Sequence, residues 1–119
     1  MLDVKKLLTK ILNSIISDMG SRYVQFSNGL QICWLSTTAS MAVDTAYGSI
    51  YIHNFNWTFA KPFVQEPAVA VGRAQWGTSA SWGTVAGISA TSTDIRVMDF
   101  FQRTTGSTYI TAIAIGRWK

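Results

Sequence analysis

Hydrophobic residues recur with a helical period over the first nineteen positions and then, from about position 22, alternate with polar ones. Val4, Leu8, Ile11 and Ile15 keep the four-three-four spacing of a coiled-coil seam. Leu7, Leu12, Ile16 and Met19 widen that apolar face, while Lys6, Lys10, Asn13 and Ser17 fall opposite. Gly20 is a natural stop, so the pattern predicts an amphipathic α-helix over residues 1–19. A helix this short is marginal alone. It must dock on its own domain or meet copies of itself through Val4, Leu8, Ile11 and Ile15, a seam that suits a dimer or a trimer. A helix lying on a membrane has less support, because it would carry three lysines and no aromatic residue.

The rest reads as strands. "RYVQF", Ser27-Asn28-Gly29 and "LQICWLST" form a hairpin signal, with Asn-Gly supplying the left-handed pair of a type I′ turn. Leu30, Ile32 and Trp34 share one face, Gln31 and Cys33 the other. "YGSIYIHNFNWTF" predicts one long strand, followed by "PAVAVGRAQW", "TVAGISA", "DIRVMDFFQ" and "STYITAIAIGRW". In "PAVAVGRAQW" Ala68, Ala70 and Gly72 alternate with Val69, Val71 and Arg73. In the last, Ile110, Ala112, Ala114 and Gly116 oppose Thr111, Ile113, Ile115 and Arg117, so apolar residues lie on both faces and both must be covered. Short strands separated by Gly/Ser/Thr turns, with no second helix, predict an all-β fold: an antiparallel sandwich of six to seven strands over residues 20–119.

Both prolines, Pro62 and Pro67, fall within "FNWTFAKPFVQEPAV". They exclude a helix or a central strand there, so the stretch is a corner where the chain leaves one sheet for the other. Phe59 and Phe63 are predicted to plug the open end of the core.

Composition narrows the function classes. Of 119 residues 48% are hydrophobic and only 13% are charged, which is apolar for a small monomer and points to surface covered by other copies. The net charge of +4 comes from cations scattered along the chain, without the basic stripe or reading motif of a nucleic-acid binder. Lys10, Asn13 and Ser14 interrupt the first apolar run too early for a signal peptide or membrane span. One Cys and one His cannot make a convincing metal site, and no cofactor motif occurs. Cys33 reads as a small buried hydrophobe, and His53 as a strand residue. Asp44, Glu66, Asp94 and Asp99 show no spacing that singles out a catalytic pair. The residues therefore point away from an enzyme.

The order "NGLQICW", "WTFAKPFVQEPAVAV", "STDIRVMDFF" and "YITAIAIGRW" resembles the C-terminal knob domains of bacteriophage tail fibres, over about residues 23–118. It is more distantly similar to the H-type lectin fold of snail agglutinins and discoidins. The resemblance implies a β-sandwich assembled as a homotrimer, carried in the virion tail, in contact with other tail proteins and binding a receptor on the host cell surface. The lectins' sugar-contacting residues have no counterpart in this chain, so their carbohydrate site is not carried over.

The candidate binding site is "GRAQWGTSASWGT", residues 72–84. There Trp76 and Trp82 flank a loop of small residues beside Arg73 and Gln75, and indoles of this kind stack on sugar rings. Asp99 and Arg103, near Phe101, form a second, weaker partner loop. The alternative is that one Trp is core and the other lies between copies. Three expectations result: a helical stem or attachment point, a receptor face at the far loops that takes a glycan or protein, and, as runner-up, a structural tail protein that binds no glycan.

Overall fold

In the computed structural model, which describes residues 3–119, one helix precedes nine strands. They are α1 (Val4–Ile15), β1 (Ile16–Met19), β2 (Tyr23–Phe26), β3 (Leu30–Val43), β4 (Thr45–Tyr47), β5 (Ile50–Thr58), β6 (Ala68–Trp76), β7 (Trp82–Ile88), β8 (Ser92–Asp99) and β9 (Arg103–Arg117). Two antiparallel sheets, ordered β1-β2-β3-β9-β6 and β4-β5-β8-β7, enclose the core. The sandwich is as expected. The strand count exceeds six to seven because each sheet gains a short outer edge, β1 of four residues and β4 of three.

Both edges correct an expected boundary. Asp3 caps α1 by accepting from the Lys6 amide at 3.1 Å. The helix nevertheless ends four residues before Met19, because the β-branched pair Ile15-Ile16 turns into a strand, with Ile16 opposite Phe26 and Met19 opposite Val24. Met1 and Leu2, included in the expected helix, lie outside the described residues. The single long strand expected over 47–59 is broken at Gly48, where φ is +59° and a two-residue turn sets Tyr47 opposite Ile50.

The Asn-Gly hairpin forms with a different turn. Only Gly29 is left-handed (φ +99°), and its amide donates to the Phe26 carbonyl at 3.0 Å, which gives a three-residue loop in place of type I′. β3 then continues through "STTASMAV" to Val43, well past the expected end, because β9 pairs with it over nearly its whole length.

Alternation along β3 and β9 decides what is inside. Gln31, Cys33, Ile110, Ala112 and Ala114 are buried against Trp57, Phe59, Ile95 and Val97. The opposite face of the same sheet carries Ile32 beside Ile115 and Ala68, and Trp34 beside Ile113 and Ala70. Ile113 and Ile115 are 38% and 41% exposed there. A bulge at Gly72 shifts the register, so Arg73 pairs with Thr111 on this outer face and not with Val69 and Val71 on the inner one. Beside the bulge opens a hollow of about 280 Å³ lined by Ala70, Val71, Gly72, Thr111, Ala112 and Ile113.

The proline corner joins β5 to β6 across the end of the core. Trp57, Phe59 and Phe63 are buried in successive edge-to-face contacts, with centroids 4.9 and 5.2 Å apart. The fully buried Gln31 amide donates to the Lys61 and Pro62 carbonyls, and its oxygen accepts from Gln25 at 2.7 Å. This corner plugs the core as expected.

All twelve residues of α1 are exposed, including Val4, Leu8, Ile11 and Ile15. The radius of gyration is 18.2 Å, whereas a compact chain of this length has about 13–14 Å. The helix therefore projects from the sandwich and does not lie on it.

Candidate functional site

Strand direction fixes the polarity of the molecule. Ile16 pairs with Phe26 and Leu30 with Arg117, so the helix, the 27–29 turn and the C-terminus share one end. Val43 pairs with Arg103 and Trp76 with Thr108, which puts the loops 77–81 and 100–102 at the other. These are the loops singled out in the sequence.

Asp99, at the end of β8, faces inward and is 2% exposed. Its Oδ2 accepts from Ser79 Oγ at 2.7 Å, Ser81 Oγ at 2.9 Å and Arg103 Nε at 3.2 Å, and its Oδ1 from the Phe101 amide at 2.9 Å. Burial pushes the carboxyl up, but these donors outweigh it and hold it below the usual carboxylate range. Both oxygens of Asp99 are thus taken up by the two loops and by Arg103, and the carboxylate is buried beneath them.

Trp76 ends β6 on the inner side. Its backbone amide donates to Ser81 Oγ at 3.1 Å, its indole N–H to the Thr104 carbonyl at 2.9 Å, and Arg103 stands over its ring at 5.1 Å. Half-buried and with its polar atom spent, Trp76 is a support. Trp82 points the other way: it pairs with Met98 on the outer face of the four-stranded sheet, and its ring lies 4.9 Å from that of Phe100. The two indoles do not stand side by side.

Arg73 and Gln75 form a third group, on the outer face of the five-stranded sheet. Arg73 Nε donates to Gln75 Oε1 at 3.0 Å while the guanidinium stacks on Tyr109 at 4.4 Å, and Gln75 Nε2 donates to the Ser79 carbonyl at 3.0 Å. Of the six expected residues, Asp99, Trp76 and Arg103 are thus brought together, Arg73 and Gln75 flank them on one side, and Trp82 lies on the other.

The most exposed aromatic residues of this end are Phe100 and Phe101, at 63% and 67%. Phe101 lies under Arg103 at 5.4 Å, and Tyr47 under Arg96 at 4.9 Å. Phe100 and Tyr47 were missed because nothing in "MDFFQ" or "TAYGS" marks which aromatic leaves the core. The distal surface is therefore aromatic and arginine-bearing, with its central carboxylate hidden.

Other chemistry is sparse. Burial pushes the Cys33 thiol up, so it is an inert core residue. Among the described residues no three His, Cys, Asp or Glu side chains gather as a metal site, and no helix is long and apolar enough to cross a membrane.

No family profile matches the chain, and no curated protein matches it in sequence. Solved structures do share its fold. An N-truncated R1-type pyocin tail fibre superposes with a TM-score of 0.62 at 15% identity, each chain covering 98% of the other. A P. aeruginosa R1 pyocin fibre fragment, C-terminal residues 323–701, superposes with a TM-score of 0.59 at 18% identity over 79% of this chain. The chain spans 25% of that fragment's length. The fold is thus that of pyocin tail-fibre C-terminal fragments.

Proposed function

We propose that the protein is a tail-fibre tip of a phage or phage-like particle. In this reading three copies associate through the helix and the outer face of the five-stranded sheet, and the distal loops bind a receptor on the host cell surface. The observation that carries the reading is the polarity of the molecule. Apolar surface is left uncovered on the helix and on the sheet wall, and the aromatic and arginine surface lies at the opposite end.

A single chain leaves Val4, Leu8, Ile11 and Ile15 in water together with Ile113 and Ile115. These side chains are 38–59% exposed, so covering what remains gains each roughly 1 kcal/mol, a contribution that favours association. The hollow beside Gly72 offers a socket for an apolar side chain of a neighbouring copy. The shared fold with pyocin tail fibres supports the tail assignment and, through it, contact with other tail proteins and a place in the virion tail.

Phe100, Phe101, Trp82 and Tyr47 present apolar ring faces, and Arg96 and Arg103 add donors beside them. That chemistry suits a glycan, whose sugar rings stack on aromatic faces while hydroxyls accept from guanidinium groups. The reading assigns no catalytic role.

Binding of the full chain to immobilised bacterial envelope polysaccharides tests the receptor assignment. Retained folding with binding lost in Trp82→Ala and Phe101→Ala is the expected result. Undiminished binding in both variants rejects the distal site. Assembly with no polysaccharide bound by any form of the protein favours a purely structural tail role.

A further inference from the structure

Segments of Gly, Ser and Thr such as residues 77–81 are flexible by composition, and a flexible binding surface loses affinity to the ordering it must undergo. At the distal end one side chain reaches both loops. We propose that Asp99 is a positioning residue that joins the 77–81 and 100–102 loops into one preorganised surface, and that acid releases both loops together. The use of that surface rests on the receptor reading; the coupling of the loops does not.

The geometry assigns each oxygen a task. Oδ1 takes the Phe101 amide and so fixes the turn after β8. Oδ2 takes Ser79 and Ser81 from the loop after β6, and also Arg103 at the start of β9. Ser81 in turn accepts from the Trp76 amide, and the Ser79 amide donates to the Trp76 carbonyl at 3.0 Å, so the loop is closed on its own strand as well. Arg103, held at the carboxylate, is the cation that stands over both Trp76 and Phe101. Outside this network the two segments meet through the ring contact of Trp82 with Phe100.

Protonation affects every partner. A carboxyl that has gained a proton becomes a donor at one oxygen. All four bonds lose the anion that strengthens them, and an Oδ2 that carries the proton can no longer accept from Ser79, Ser81 and Arg103 together, so the hold on both loops weakens at once. Arg103 is the charged group facing Asp99. Tyr51 of β5 is its partner across the ladder, and His53 lies two residues further on the same face of β5.

Hydrogen exchange of the full chain tests this, comparing wild type with Asp99→Asn. In Asp99→Asn the amides of Gly77, Ser79 and Phe101 are expected to exchange about tenfold faster or more, with the β3 and β9 ladder amides unchanged. In wild type the same loosening, corrected for the intrinsic pH dependence of exchange, is expected as Asp99 gains its proton, and it is absent from Asp99→Asn, whose loops are already released. Loosening of Phe101 alone, or an equal acid transition in Asp99→Asn, overturns the proposal. Should Asp99→Asn fail to fold, Ser79→Ala/Ser81→Ala keeps the charge and Arg103. It must loosen Phe101 along with residues 77–81, and independent behaviour of the two segments overturns the coupling. A wrong receptor assignment would look different: loops that move together on a protein that binds no polysaccharide.

Discussion

The indole of Trp76 lies against Gly106, where an added Cβ would stand 2.9 Å from ring atoms Cε2 and Cζ2. Gly106 has no left-handed backbone, so closeness of approach and not flexibility explains the residue. Gly106→Ala must displace the ring and its bond to Thr104, at a cost of about 1–3 kcal/mol. A lower urea midpoint with an unchanged m-value is the expected outcome, and wild-type stability would show that the ring has room to move.

The two tryptophans of the loop are expected to differ. Trp76→Ala removes a half-buried ring and leaves the Thr104 carbonyl without its donor, so stability drops by about 2–4 kcal/mol. Trp82 rests on the outer face against Phe100, and its replacement by Ala costs about 1 kcal/mol or less. Paired thermal or urea unfolding of the two variants measures this; equal losses would place both rings in the same environment.

Acid should weaken the distal end in a defined direction. The Asp99 carboxyl is held below its unfolded value, so its contribution is fully present above the ordinary Asp range, near pH 4, and is lost as pH falls through the lowered folded value. The stability difference between wild type and Asp99→Asn should be constant above about pH 5 and shrink toward strong acid. A gap independent of pH down to pH 2 would show that Asp99 titrates as in the unfolded chain.

Ile113, set between Trp34 and Ala70 on the uncovered sheet face, separates folding from assembly. Ile113→Lys places a charge where the chain alone meets water, so unfolding of the single subunit shifts by about 1 kcal/mol or less. In the proposed assembly the same charge would be buried without a partner, and the dissociation constant is expected to rise about a hundredfold or more. Sedimentation at several concentrations distinguishes the two effects.

The sandwich was legible because alternation in "LQICW" and "YITAIAIG" survives into the structure, with Gln31 and Cys33 opposite Ile32 and Trp34 as read. The proline corner was legible for a similar reason: Pro62 and Pro67 forbid the regular alternatives. Boundaries were not legible where pairing overrides local preference. Residues 16–19 carry a helical period yet pair with β2, and "STTASMAV" opens with polar residues yet pairs with β9. Of the candidate site, the two loops and their shared end of the molecule could be read from the sequence, but the direction of each ring could not. The bulge at Gly72 turns Arg73 to the outer face through pairing with a strand 38 positions away, and Ser79 and Ser81 hide Asp99 from 20 and 18 positions away.

The mass in solution tests the account most directly. Size-exclusion chromatography with light scattering, at micromolar concentration, is expected to give three times the 13.1 kDa of one chain, and a lower mass or weaker association once residues 1–15 are removed. A stable, well-folded species of one chain's mass would contradict the assignment of the helix and the Ile113 face to contacts between copies.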